Sequence, residues 1–249
     1  MKKKILVTVM ALTMGLSMMT MSACGGAKDD NVLTMATNAA FPPYEFIDGD
    51  EIVGIDAEIA AELSKKLDME LQIDDMDFNS IITAVQTGKA DIGLAGMTKT
   101  EERLKNVDFS HTYATGVQVI VVREDSDINS PDDLNGKMIG AQESTTGCIY
   151  CQDDYGEENV QAFTTGTNAI EALVKGKVDC VVIDNEPAKA FVKANDGLKI
   201  LETEYVTEEY AIAVAKGNTE LLDKINKALD EMKDDGTLDN IINKYIKAE

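Results

Sequence analysis

Apolar and polar positions along the chain switch between two periods. Residues 32–37 read Val-Leu-Thr-Met-Ala-Thr, an apolar run that predicts a first strand. Similar runs at 69–73, 91–94, 137–141, 160–163, 178–183 and 198–201 predict further strands. Between them, apolar residues return every three or four positions. Ile59, Ala60, Leu63 and Leu67 share one face of a helix over 57–67, which Asp56 is placed to cap. Ile81, Ile82 and Val85 mark a second helix that stops at Gly88. Residues 44–47 and 51–53 flank Asp48-Gly49, a hairpin signature. Ser130-Pro131 opens a helical turn to Leu134, Thr167 is placed to cap a helix, and Asn185-Glu186-Pro187 starts another. Leu221, Leu222, Ile225, Leu229 and Met232 give an amphipathic helix over 218–233; Gly236 breaks it, and 238–246 forms a last short one. Strands alternating with helices at this spacing predict an α/β body with a mostly parallel sheet.

The pattern repeats once. Residues 81–94 read Ile-Ile-Thr-Ala-Val-Gln-Thr-Gly-Lys-Ala-Asp-Ile-Gly-Leu, and 169–182 read Ala-Ile-Glu-Ala-Leu-Val-Lys-Gly-Lys-Val-Asp-Cys-Val-Val. Both spell helix, Gly-Lys-x-Asp, strand, which predicts two similar lobes. The first lobe takes 32–116 and 212–249. The second takes 117–211, including the crossing strands, with apolar runs at 117–122 and 210–215 long enough to pass between lobes.

Charge narrows the function. The net charge is -22, and the one basic cluster is Lys2-Lys3-Lys4. Such a body repels nucleic acid and anionic membrane surfaces. The cluster opens a leader: residues 5–21 are apolar and Met-rich, and Ser22-Ala23-Cys24 supplies a small-residue cleavage site. A Cys at the junction resembles a bacterial lipoprotein signal. That resemblance implies a signal peptide over 1–23, a lipid on Cys24, a flexible tether over 24–31, and a body anchored to the outer face of the cell membrane.

Candidate chemistry concentrates at Ala95-Gly96-Met97-Thr98-Lys99-Thr100-Glu101-Glu102-Arg103. Gly96 permits close approach to the backbone, Thr98 offers a hydroxyl, and Thr100 is placed to cap a short helix from Glu101. Arg103 lies one turn on and reaches back toward Thr98. Free backbone N–H groups, a hydroxyl and a guanidinium make an anion site suited to a carboxylate. A second polar loop, Gln142-Glu143-Ser144-Thr145-Thr146-Gly147, enters a helix and offers another place for a charged group. Cys148-Ile149-Tyr150-Cys151 has redox-pair spacing without a Trp-Cys-Gly context, so its role reads as structural, with a local disulfide open. Cys180 sits in an apolar strand and no metal site is expected. His111 is the single histidine, with only its neighbour Ser110 nearby in sequence. Hydrolase motifs are absent, and no cofactor is called for.

The order and spacing of several short motifs resemble the extracellular solute-binding proteins of amino-acid ABC importers. They are Phe41-Pro42-Pro43-Tyr44-Glu45-Phe46, Val53-Gly54-Ile55-Asp56, Gly88-Lys89-Ala90-Asp91, Gly96-Met97-Thr98 with Arg103, Asp108-Phe109-Ser110, Thr145-Thr146-Gly147, Gly176-Lys177-Val178-Asp179 and Asp234-Asp235-Gly236-Thr237. The resemblance implies a type II periplasmic-binding-protein fold: two α/β lobes, each a mixed sheet flanked by helices, joined by two crossing hinge strands. It implies that Arg103 clamps a ligand α-carboxylate, helped by Thr98, Thr146 and the backbone near Gly96, and that Asp184 takes the α-ammonium. Phe41 and Phe78 would wall the side-chain pocket, with Ala95, Met97, Gln142 and Thr145 also at the ligand. The implied partners are an amino acid and a membrane permease, with the protein itself a monomer and not an enzyme. Family members that bind basic amino acids carry an acid in the first loop where this chain has Asn38, and Gln142 and Ile183 are neutral. Those positions favour a neutral polar ligand such as glutamine or cystine. The alternatives are a dehydratase-like enzyme on the same fold, with Glu45 or Glu143 as its acid, and a ligand-sensing domain.

Overall fold

The computed structural model describes residues 31–201 and 205–247. The expected leader and Cys24 lie outside them. Strands β1 (Val32–Thr37), β2 (Ala40–Phe41), β3 (Glu45–Asp48) and β4 (Glu51–Val53) precede helix α1 (Ile55–Leu67). Next come β5 (Glu70–Asp75), α2 (Phe78–Gln86), β6 (Ile92–Gly93), α3 (Glu101–Leu104) and the long β7 (Val107–Arg123). A 3-10 turn at Pro131–Leu134 leads to β8 (Ile139–Gln142), α4 (Thr146–Tyr155), β9 (Val160–Phe163), α5 (Gly166–Val174), β10 (Cys180–Asp184), α6 (Asn185–Ala194) and β11 (Leu198–Ile200). The chain closes with β12 (Val206–Ala215), α7 (Thr219–Asp234) and α8 (Thr237–Tyr245).

One sheet runs through both lobes in the order β5-β1-β6-β12-β7-β10-β8-β9, and β11 also pairs with β7. Its two flanks are parallel: β1 lies between β5 and β6, and β8 between β9 and β10. Its centre is antiparallel. Strands β7 and β12 pair from Val206 opposite Gln118 to Ala215 opposite Val107, so these two strands carry the chain across. The crossing strand therefore starts at Val107, where the sequence suggested 117–122. Polar residues break its apolar run: Thr112 still pairs with Ala211 of β12, and Ser110 falls at a register shift where its hydroxyl accepts from Ile212 N.

Helices cover both faces of each lobe. Leu33 and Met35 pack with Ile59 and Leu63 of α1 and Ile225 and Leu229 of α7. Behind them Ala36 and Ala213 meet Ile81 and Val85 of α2. In the second lobe Ile170 and Phe191 belong to the first of these clusters, and Val122, Ile139 and Cys151 form a third. Each fully buried Leu or Ile contributes roughly 1.5–3 kcal/mol.

The repeated Gly-Lys-x-Asp motif has one structural job in both lobes. Gly88 and Gly176 hold φ of 71° and 67° at the ends of α2 and α5, which favours glycine. The Asp after each then accepts from the strand beside it: Asp91 from Thr34 N at 2.8 Å, Asp179 from Met138 N at 2.8 Å.

Several local expectations are corrected. Gly54 stands at the start of α1 with φ 125°, and Asp56 lies inside the helix, buried and turned toward the interior. Thr165, not Thr167, caps α5 by accepting from Asn168 N at 3.2 Å, because the helix already begins at Gly166. Cys148, Cys151 and Cys180 are buried free thiols, so the local disulfide is not formed here. His111 pairs with Asp230 at 3.0 Å on the surface, while the Ser110 hydroxyl accepts from Ile212 N.

Candidate ligand-binding site

The two lobes meet over a cleft at the middle of the sheet. A cavity of about 20 Å³, room for about one water molecule, lies there. From the first lobe it is lined by Asn38, Phe41, Glu45 and Phe78, then by Ala95, Gly96, Thr98 and Arg103. From the second come Gln142, Thr145, Thr146 and Asp184.

Arg103 reaches the cleft because Thr100 caps the short α3, its hydroxyl accepting from Arg103 N at 3.2 Å. One arm of the guanidinium donates to Thr98 O at 2.7 Å and the other crosses the cleft to Ser144 O at 3.0 Å. The group sits 5.3 Å from the centre of the Phe78 ring, a cation–π contact that fixes its plane. Burial lowers its pKa to about 10, which still leaves it cationic at neutral pH.

Asp184 ends β10 at the opposite side. It stands at the N-cap position of α6 but makes no capping bond. Its carboxylate instead accepts from Tyr210 Oη and from Gln118 Nε2, the latter at 2.8 Å. Burial pushes its pKa up to about 7, against the pull of those two donors. A value near neutrality leaves this acid only partly ionised, and an arriving cation favours its charged form.

Two more acids are buried beside the cavity. Glu45 and Asp56 hydrogen-bond each other, and Asp56 also accepts from Gly96 N at 2.8 Å and Tyr113 Oη at 2.9 Å. Burial, then the Asp56 charge, holds the Glu45 carboxyl well above the usual range, so Glu45 keeps the proton. Asp56 rises only to about 6, because its donors favour the charged form.

Direct hydrogen bonds join the lobes across the cleft. Gln142 Nε2 donates to Asn38 Oδ1 at 2.9 Å, and Asn79 Nδ2 to Glu143 Oε1 at 2.9 Å. A guanidinium facing an ionisable acid across a small closed space, with hydroxyls and amides between them, suits a zwitterion.

The profile of the bacterial extracellular solute-binding proteins, family 3, matches residues 33–248. The chain belongs to that family. It is 39% identical to the arginine-binding extracellular protein ArtP of Bacillus subtilis, over 100% of each chain. Identity is 27% to the L-cystine-binding protein TcyJ of Escherichia coli, over 98% of this chain and 94% of that one. Among solved structures, an ancestral arginine-binding protein bound to glutamine superposes with a TM-score of 0.83 and 45% identity, covering 88% of this chain and 99% of that one. The same ancestral protein bound to arginine gives a TM-score of 0.82 at 45% identity, over 87% and 98%. The two-lobed fold is thus that of the solute-binding proteins, and these relatives are named as binding proteins, not as enzymes.

Within it, most residues singled out from the sequence converge on the cavity, and five behave differently. Met97 points its side chain into the core with Ile81 and Val85; its backbone serves the site by accepting from Ala211 N at 3.0 Å, which docks the segment on β12. The Gly96 N–H is taken by Asp56 and is not a free anion donor. Gly96 is required for another reason: at φ 52°, a Cβ there would meet Phe41 Cε1 at 2.8 Å. Thr145 lines the cavity, but its hydroxyl donates to Gln142 O at 2.7 Å and accepts from Cys148 N to cap α4. Ile183 packs in the core. Glu143 binds Asn79 at the surface rather than standing as a cavity acid.

Sequence reasoning missed Gln118, Glu208 and Tyr210, all on the hinge strands. Each is buried: 2% exposed for Gln118, 4% for Glu208 and 0% for Tyr210. Polar residues inside predicted crossing strands were the available signal.

The raised pKa of Asp184 sets a pH dependence. Its folded value of about 7 exceeds the ordinary value of 3.8. Between those values the folded chain binds more protons than the unfolded chain, so stability falls as pH rises. Thermal midpoints of the ligand-free protein are expected to drop from pH 5 to pH 7.5, with a shallower slope in Asp184→Asn. Identical slopes would show that Asp184 titrates normally.

Proposed function

We propose that this protein captures an extracellular α-amino acid between its lobes and passes it to the membrane permease of an ABC importer. One observation carries the reading: Arg103 and Asp184, buried on opposite lobes, face the same closed cavity. The α-carboxylate pairs with the Arg103 fork and with the Thr98 and Thr146 hydroxyls. The α-ammonium draws the proton off Asp184 and pairs with its carboxylate. With the two charges on opposite lobes, closure and binding are one event.

For the side chain we read arginine first. Once Arg103 and Asp184 are matched to the zwitterion, Glu45 remains as a buried acid at the cavity with no basic side chain beside it among the described residues. A guanidinium would take up its charge and release its proton. The names of relatives such as ArtP lean the same way. A neutral polar ligand, glutamine or cystine, is the second reading. It is favoured by the Asn38–Gln142 amide pair and by the proton Glu45 already carries. The leader supports a lipid on Cys24 that keeps a monomeric body at the outer membrane face.

A thermal-unfolding screen of residues 28–249 against the amino acids and cystine tests this. A ligand present at about 100 times its Kd stabilises by about 2.7 kcal/mol. Arginine, or failing that glutamine or cystine, is expected to raise the midpoint. No shift with any amino acid refutes the reading. Arg103→Ala is expected to weaken binding at least about a hundredfold, by leaving the carboxylate buried and unpaired. Glu45→Gln separates the two side-chain readings: arginine affinity falls about tenfold or more while glutamine affinity holds. Equal effects on both ligands would remove Glu45 from side-chain selection.

A further inference from the structure

Glu208 lies on β12, where the strand passes beneath the cavity, opposite Gly116 of β7. A single oxygen, Oε2, accepts from Thr98 Oγ1 of the first lobe at 3.1 Å, from Thr146 Oγ1 of the second at 2.9 Å, and from Gln118 Nε2 at 2.9 Å. The Arg103 guanidinium is held charged in part by the same carboxylate. Thr98 reaches it because the segment around it is stitched to β12: Lys99 N donates to Glu209 O at 3.2 Å, and Thr98 bridges to Tyr210.

We propose that Glu208 is an internal stand-in for the ligand carboxylate, a hinge-borne acceptor that occupies the Thr98 and Thr146 hydroxyls and that the incoming ligand must displace. This rests on the assignment of Thr98 and Thr146 to that carboxylate. Donor protons are the limiting quantity. A threonine hydroxyl carries one donor proton. Two hydroxyls already donating to Glu208 have none left for a second carboxylate. Bringing the ligand carboxylate to Arg103 also sets two like charges near one another in a water-poor space. Glu208 therefore opposes the ligand carboxylate, so it sets affinity without selecting the side chain. A carboxylate that instead touched the ligand ammonium would have the opposite effect on binding.

Glu208→Gln keeps the shape, removes the charge and leaves a weaker acceptor. Titration calorimetry is expected to show its amino acid binding about tenfold tighter than to wild type. Weaker or unchanged binding in a folded Glu208→Gln overturns the proposal while leaving the amino-acid reading intact, since Arg103→Ala tests that separately. Glu208→Ala, which removes the acceptor outright, provides a second arm: it is expected to bind tighter too, and weaker binding overturns the proposal.

Discussion

The structure turns on the burial of charge at one seam. Among the described residues, the buried Asp, Glu, Lys and Arg side chains are Glu45, Asp56, Arg103, Asp184 and Glu208. All five lie at or beside the cleft between the lobes. Removing a charge from water costs several kcal/mol unless it is paired and hydrogen-bonded, or unless it takes up a proton. This protein uses each remedy. Arg103 meets carbonyls and a ring, one oxygen of Glu208 takes hydroxyls and an amide, and one oxygen of Asp56 takes an N–H and a phenol. Glu45 stays protonated against Asp56, and Asp184 is poised near neutrality. With Glu45 protonated, Asp56, Asp184 and Glu208 still face a single base, an imbalance that a ligand cation relieves.

The rest of the fold holds that seam in place. Conventional α/β packing buries the two lobes' apolar faces, and the parallel flanks of the sheet tolerate such packing on both sides. Among the described residues β7 and β12 span the join, and they carry polar residues that touch both lobes. The tyrosines serve as rigid donors. Tyr113 reaches Asp56, Tyr210 reaches Asp184, and Tyr44 packs edge-on against Tyr210 with ring centres 5.2 Å apart. A ring that fills space while its hydroxyl satisfies an acid lets the hinge remain dry.

How much of this the sequence reveals depends on range. The strands at 32–37 and 160–163 and the amphipathic helix near 218–233 follow from local periodicity, and the structure has them within a residue or so. The Arg103 return to Thr98 is also local, one turn of chain. The role of Asp56 was not legible: an acid in a first helical turn reads as a cap, and only the fold brings Gly96 N and Tyr113 to it. Glu208 was hidden for a similar reason. It stands in a Glu-Glu pair that reads as a solvated strand end, and its partners lie 110 and 62 positions away. Met97 misled in the other direction, since a position beside two site residues alternates to the opposite face and joins the core.

The central claim is that a fixed cation and a fixed anion on opposite lobes recognise a zwitterion. Titration calorimetry of the bound amino acid against two analogues, one lacking only the α-carboxylate and one lacking only the α-ammonium, tests it most directly. The account predicts that each deletion alone weakens binding by about two orders of magnitude or more, since each leaves one buried charge unpaired. An analogue that binds as well as the parent would contradict it, and would name which of Arg103 and Asp184 has been misassigned.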